Sequence, residues 1–136
     1  MKKVLLSCMV LSVLLQAEGY TLKDRVADMS DMAAAMNTIQ SGFFYNNYET
    51  LEAGVEQLTQ TVENVKTPEV ELGKKDVIER HMDEKFQMTN KIVKKINKKA
   101  FTLLERYKSG DRVQALQAYT KIMKQCMACH SQLRKW

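Results

Sequence analysis

The chain has 136 residues, 45% of them apolar, with one proline and five glycines. That length supports one domain rather than two, and nothing in it forms a repeat or a low-complexity tract. The formal charge of +5 falls to +3 if residues 1–17 are removed, because Lys+Arg drops from 21 to 19 while Asp+Glu stays at 16; that balance excludes any charge argument for nucleic-acid binding.

The first residues read as an export signal. Met1-Lys2-Lys3 is a positive start, Val4 to Leu15 is an apolar run, and Gln16-Ala17 offers a small residue for cleavage before Glu18. The run is too short to span a bilayer core of about 30 Å. Residues 1–17 are therefore expected to be a signal peptide, and 18–136 a mature, exported domain with no stable membrane span. Leu5-Leu6-Ser7-Cys8 faintly resembles a lipoprotein cleavage box, but the apolar run continues beyond Cys8. Cleavage would leave only Cys126 and Cys129, too few for a disulfide framework.

Four segments follow with apolar residues at helical spacing. The first runs from about Leu22 to Gln40, with Leu22, Val26, Met29, Met32, Ala33, Met36 and Ile39 on one side. The second covers about Asn47 to Lys66 through Tyr48, Leu51, Val55, Leu58, Val62 and Val65. The third covers about Val77 to Lys108, and the fourth about Arg112 to Arg134, with Val113, Leu116, Tyr119, Ile122 and Met123 leading into the cysteines. Expected N-caps are Thr21, Asn46, Asp76 and Asp111; the last three stand before Glu49, Glu79 and Gln114 in capping-box spacing. Ser41-Gly42, Thr67-Pro68 and Ser109-Gly110 are the expected stops. No segment alternates with period two, so the fold class is all-α. Four amphipathic helices with short connections make an antiparallel four-helix bundle. At 1.5 Å per residue the third helix would be about 48 Å long, so it is expected to overhang or bend around Glu84 to Gln87.

The chemistry-bearing motif closes the fourth segment. Cys126-Met127-Ala128-Cys129-His130 reads C-x-x-C-H, the attachment signature of a covalent c-type haem. On a helix, positions i, i+3 and i+4 share one face. Two thiols can then reach the two vinyl groups along one porphyrin edge, while His130 rises from the same face towards the iron. A dithiol redox pair would need a βαβ setting that the pattern lacks. A zinc site would need two more close ligands, and His81 is the only other histidine.

A C-x-x-C-H on the last helix of an all-α bundle resembles the cytochrome c′ family, and the likeness covers the mature chain in helix order. It is specific in two places. The first is Cys126-x-Ala128-Cys129-His130-x-x-Leu133-Arg134, where Leu133 stands for the family's usual aromatic and Arg134 keeps an arginine that lies near the proximal side of the haem. That arginine also fits a helix C-terminal cation. The second is Arg25-Val26-Ala27-Asp28-Met29. In the family, the residue four positions after an arginine here faces the distal side of the iron: an apolar non-ligand in gas-binding members, a methionine in low-spin relatives. Met29 implies the low-spin branch. Met32 is a second candidate ligand and Met36 a weaker one; an open sixth site, or ordinary core packing by all three methionines, stays open. His81 reads as a surface residue.

The resemblance implies one covalent haem c, with His130 and Met29 on the iron, and a one-electron carrier serving periplasmic redox proteins. No residue is needed as acid, base or nucleophile, so the expectation is a carrier and not an enzyme. The alternative is a five-coordinate haem protein that binds a diatomic gas such as nitric oxide or carbon monoxide. Lys91, Lys94, Lys95, Lys98 and Lys99 form a basic stripe, read as a solvated face or a steering field. Tyr107 and Tyr119 fit either core or haem contact. Family members often dimerise through the first two helices, and Phe43, Phe44 and Tyr45 are expected to be exposed near that turn.

Overall fold

The computed structural model describes residues 20–66 and 77–133, with side chains for 20–66 and 84–132. The expected signal peptide, Cys8, the stop at Thr67-Pro68, the Asp76 cap, the side chains of His81 and Leu133, and Arg134 and Trp136 lie outside the described residues. The rest is all-helical: α1 (Leu22–Phe44), α2 (Tyr48–Asn64), α3 (Val77–Lys108) and α4 (Arg112–Leu133), with no strand among the described residues. No helix among them is long and apolar enough to cross a membrane.

Local chemistry sets the helix ends. Thr21 and Asp24 form a reciprocal capping box: the Thr21 hydroxyl accepts from the Asp24 amide at 3.2 Å, and the Asp24 carboxylate accepts from the Thr21 amide at 2.8 Å. Asp111 caps α4 by accepting from the Gln114 amide at 3.0 Å. Asn47, rather than Asn46, caps α2, accepting from the Thr50 amide at 3.0 Å. Asn46 does something else. Its φ of +48° places it in the left-handed region, and the amides of Asn47 and Asn46 donate back to the carbonyls of Gly42 and Phe43. This is a Schellman turn, with asparagine where glycine is usual. The α3–α4 turn repeats it: Gly110 has φ +87°, and the Asp111 and Gly110 amides donate to Arg106 and Tyr107.

The expected stop at Ser41-Gly42 is corrected here, because α1 runs through both residues to Phe44. Gly42 is a point of close approach. A Cβ built on it would stand 2.6 Å from the Leu51 Cβ and 2.7 Å from that residue's backbone. Gly54 is equally tight against the Ile39 amide nitrogen at 2.8 Å. Missing side chains thus let α1 and α2 pack almost backbone to backbone.

That packing turns the start of the expected α1 face outward, while Ile39 is buried and Met32 and Met36 pack against the core as expected. The buried residues of α1 are Asp28, Ala35, Ile39 and Gly42, whereas Leu22 and Val26 are exposed. In α4 the buried residues are Ala115, Ala118 and Ile122, and Val113 and Leu116 face out. Small residues win these positions because the neighbouring helix leaves no room for large ones. The remaining core comes from Leu51, Val55, Leu58 and Val62 on α2 and from Ile92, Val93, Ile96, Ala100, Leu103 and Tyr107 on α3. Val77–Lys108 is one helix, and among its described side chains, from Glu84 on, the first buried core residue is Ile92.

One end of the bundle is tied by Tyr107. Its buried hydroxyl donates to the Asn46 side chain at 3.0 Å and the Gly42 carbonyl at 3.3 Å. The Arg112 guanidinium sits over its ring, 3.7 Å from the centroid, and donates to its carbonyl. Phe43 packs edge-on against Tyr107 and Tyr119 and is half-buried, contrary to its expected exposure; Phe44 and Tyr45 are exposed as expected.

Candidate cofactor site

The core thins out beyond Ala35, Val62, Ile92 and Ile122, and a cavity of about 350 Å³ opens between the helices there. All four helices line it: Met29, Met32, Ala33 and Met36 from α1, Val62 and Val65 from α2, Thr89, Ile92, Val93 and Ile96 from α3, and Tyr119, Met123, Cys126, Met127, Cys129 and His130 from α4. Such a volume lies at the lower end of the range typical of ligand sites, about 300–1,000 Å³. The lining is mostly aliphatic and thioether, so water gains little by filling it.

The helical spacing of the C-x-x-C-H motif is realised. Cys126, Cys129 and His130 are half-buried, lie within two turns of α4, and face the same cavity. The two thiols are free. Burial pushes the Cys126 thiol up, with a smaller push from Cys129; burial also raises Cys129, partly offset by the Arg25 guanidinium. A redox-active or nucleophilic cysteine needs a depressed pKa. These two are shifted the other way, which argues against a dithiol exchange site.

Met29, Met32 and Met36 line the same cavity, so the structure brings the candidate distal residues together with the motif. All three are half-buried. Tyr119 lines the same space and donates weakly to the Met36 carbonyl at 3.5 Å, whereas Tyr107 belongs to the tied end of the bundle and is not among the lining residues.

Sequence reasoning passed over Asp28, the residue before Met29. It is the one buried charged side chain among the described residues, 9% exposed. Its carboxylate accepts from the Tyr20 hydroxyl at 2.6 Å and from the Asn64 side-chain amide at 2.9 Å. The Arg25 guanidinium lies 5.4 Å from the centroid of the Tyr20 ring. This clamp ties the start of α1 to the end of α2 beside the cavity. Its effect on Tyr20 is to push the phenol up to about 12, through burial first and the Asp28 carboxylate second. Only the helical phase of Asp28, seven residues before Ala35, hinted that it faces inward.

The donor set fits a covalently held haem. Two thiols one turn apart and an imidazole on the same helix face meet an apolar hollow that thioether side chains of α1 also line. It does not fit zinc, since no group of three or more His, Cys, Asp or Glu residues able to hold a metal ion occurs among the described residues. Comparison of the chain with protein-family models, with curated proteins and with solved structures gave no match.

Proposed function

We propose that the protein is an exported, periplasmic c-type cytochrome: an antiparallel four-helix bundle that works as a one-electron carrier between periplasmic redox proteins. One observation carries the reading, namely that Cys126, Cys129 and His130 line one apolar cavity together with Met29, Met32 and Met36. The antiparallel arrangement is supported by the order of contacts along α1 and α2, where Gly42 meets Leu51, Ile39 meets Gly54 and Asp28 meets Asn64.

In this reading Cys126 and Cys129 hold the haem through thioether bonds and His130 ligates the iron. Met29 would supply the second protein ligand to the iron, with Met32 as the competing candidate, and Arg134, outside the described residues, would be the arginine that the resemblance puts near the haem. The bound haem supplies a one-electron Fe(III)/Fe(II) couple. Val62, Val65, Ile92, Val93 and Ile96 would give the haem an apolar wall, and such a wall together with a thioether ligand would favour the reduced, less charged state. The Tyr20–Asp28–Asn64 clamp fixes the start of α1, and with it the height of Met29 over the cavity.

The test is the visible spectrum of the mature protein, produced with a haem-attachment system, oxidised and then reduced with dithionite. Haem that stays with the protein in acidified acetone, and sharp split bands on reduction, are expected. Haem that extracts freely would refute covalent attachment. A broad reduced band that shifts with carbon monoxide would replace the carrier reading with the gas-binding one.

A further inference from the structure

Lys91, Lys94, Lys95 and Lys98 are exposed on the middle of α3. They alternate along the helix with Thr89, Ile92, Val93 and Ile96, which line the cavity. At 3.6 residues per turn, the four lysines centre on the side of α3 opposite those cavity-lining residues. The basic face and the cavity are therefore two sides of one helix, separated by its width of about 10–12 Å.

The charge arrangement is unfavourable for the isolated helix. Lys91 with Lys94 and Lys95, and Lys98 with Lys94 and Lys95, are like-charge neighbours at i,i+3 and i,i+4, which repel. None of the four lysines is in an ion pair with a described residue. Of the exposed acids of α2, Glu63 reaches α3, where it accepts from the Asn97 side chain and pairs with Lys66, while Glu49, Glu52 and Glu56 are spaced along the rest of that helix. A face serving only solubility would mix the signs. Beside the lysines, one turn from Lys98, stands Phe101, the one large apolar side chain of α3 that is highly exposed among the described residues, at 69%. An exposed aromatic bordered by charge is the composition of a docking patch. The aliphatic face of α3 is committed to the core, so this helix has no apolar face left to lay into a membrane.

We propose that Lys91, Lys94, Lys95, Lys98 and Phe101 form the docking surface for an electron-transfer protein that presents a carboxylate cluster. The proposal rests on the carrier reading, and electrons would cross the width of α3 between the cavity and the partner. The lysines set the encounter rate and Phe101 the lifetime of the complex.

The experiment uses an acidic cupredoxin as probe. In stopped flow with the haem-loaded protein, the bimolecular rate constant is expected to fall at least about tenfold from low to high salt. Replacing the four lysines by glutamine is expected to lower the low-salt rate by about tenfold or more and flatten the salt dependence. The triple variant Lys23→Gln, Lys121→Gln, Lys124→Gln, all exposed elsewhere, should stay within about twofold of the parent. Carbodiimide coupling to the same probe, mapped by mass spectrometry, should join its carboxylates to peptides containing Lys91 to Lys98. This second readout needs no haem, so its success without a haem spectrum would sink the carrier reading and leave the docking surface standing. Coupling centred on Lys121 and Lys124, equal loss in the control variant, coupling only between copies of this chain, or retention on phosphatidylglycerol vesicles without any cupredoxin effect would each overturn the proposal.

Discussion

Replacing Gly42 by alanine tests the feature on which the geometry of this bundle depends. The added Cβ would stand 2.6–2.7 Å from three atoms of Leu51, two of them backbone, whereas ordinary contact begins at 3.4 Å. The two helices must separate locally by about 0.7 Å, and neither backbone atom can swing aside. Overpacking of this kind costs about 1–3 kcal/mol, with the upper half of that range expected when backbone is the obstacle. Alanine returns about 1 kcal/mol of helix propensity over glycine. The net loss should be about 1–2 kcal/mol, or roughly 4–12 °C in melting temperature for a domain of this size. Thermal and urea unfolding of the mature protein, followed by far-ultraviolet circular dichroism, reads it directly. Asparagine separates the causes. Gly110 needs a left-handed backbone at φ +87° and has no atom within 4 Å of an added Cβ. Gly110→Asn should therefore cost under about 1 kcal/mol, as Asn46 already adopts φ +48° in the equivalent turn. Gly42→Asn should cost more than Gly42→Ala. A Gly42→Ala protein as stable as the parent, or more so, would refute the close approach of α1 and α2.

Four further outcomes follow from the site. Met29→Ala should abolish the low-spin spectrum, admit carbon monoxide and lower the reduction potential, while Met32→Ala should leave the spectrum nearly unchanged; the reverse pattern would make Met32 the ligand. The double variant Cys126→Ala, Cys129→Ala should lose all haem on acid-acetone extraction, whereas either single variant should retain one thioether link detectable by peptide mass. Asp28→Ala removes the acceptor of two hydrogen bonds from a buried position and should cost about 1–3 kcal/mol in urea unfolding, with no loss expected if the clamp does not form. The Tyr20 phenol, raised from 10.0 to about 12, favours the fold in its neutral form; that contribution is complete below pH 10 and is lost as pH rises from 10 through about 12, which phenolate absorbance compared between the parent and Tyr20→Phe would detect.

The helices and the motif were legible because they are written in local spacing. Apolar periodicity located all four helices, with α3 and the start of α4 placed at the residues observed, and the Thr21 and Asp111 caps stand where expected. The Schellman turn after Lys108 follows from Gly110 alone. The same local logic misplaced the end of α1, because Ser41-Gly42 looks like a stop to any rule that counts only neighbours in sequence. It also read Leu22, Val26, Val113 and Leu116 as core, because they are large and periodic. Which of two possible faces is buried depends on how closely the next helix approaches, and Ala35, Gly42 and Gly54 decide that together.

The sequence by itself determined the local geometry of the motif: C-x-x-C-H spans little more than one turn of helix, and a helix is enough to put Cys126, Cys129 and His130 on one face. Tertiary structure alone decided where that face looks. Cys126 and Met29 are nearly a hundred positions apart in the chain, so no local pattern relates them. They share a cavity because the small faces of α1 and α4 take the core, which turns the methionines and the motif of these two helices towards the same apolar hollow.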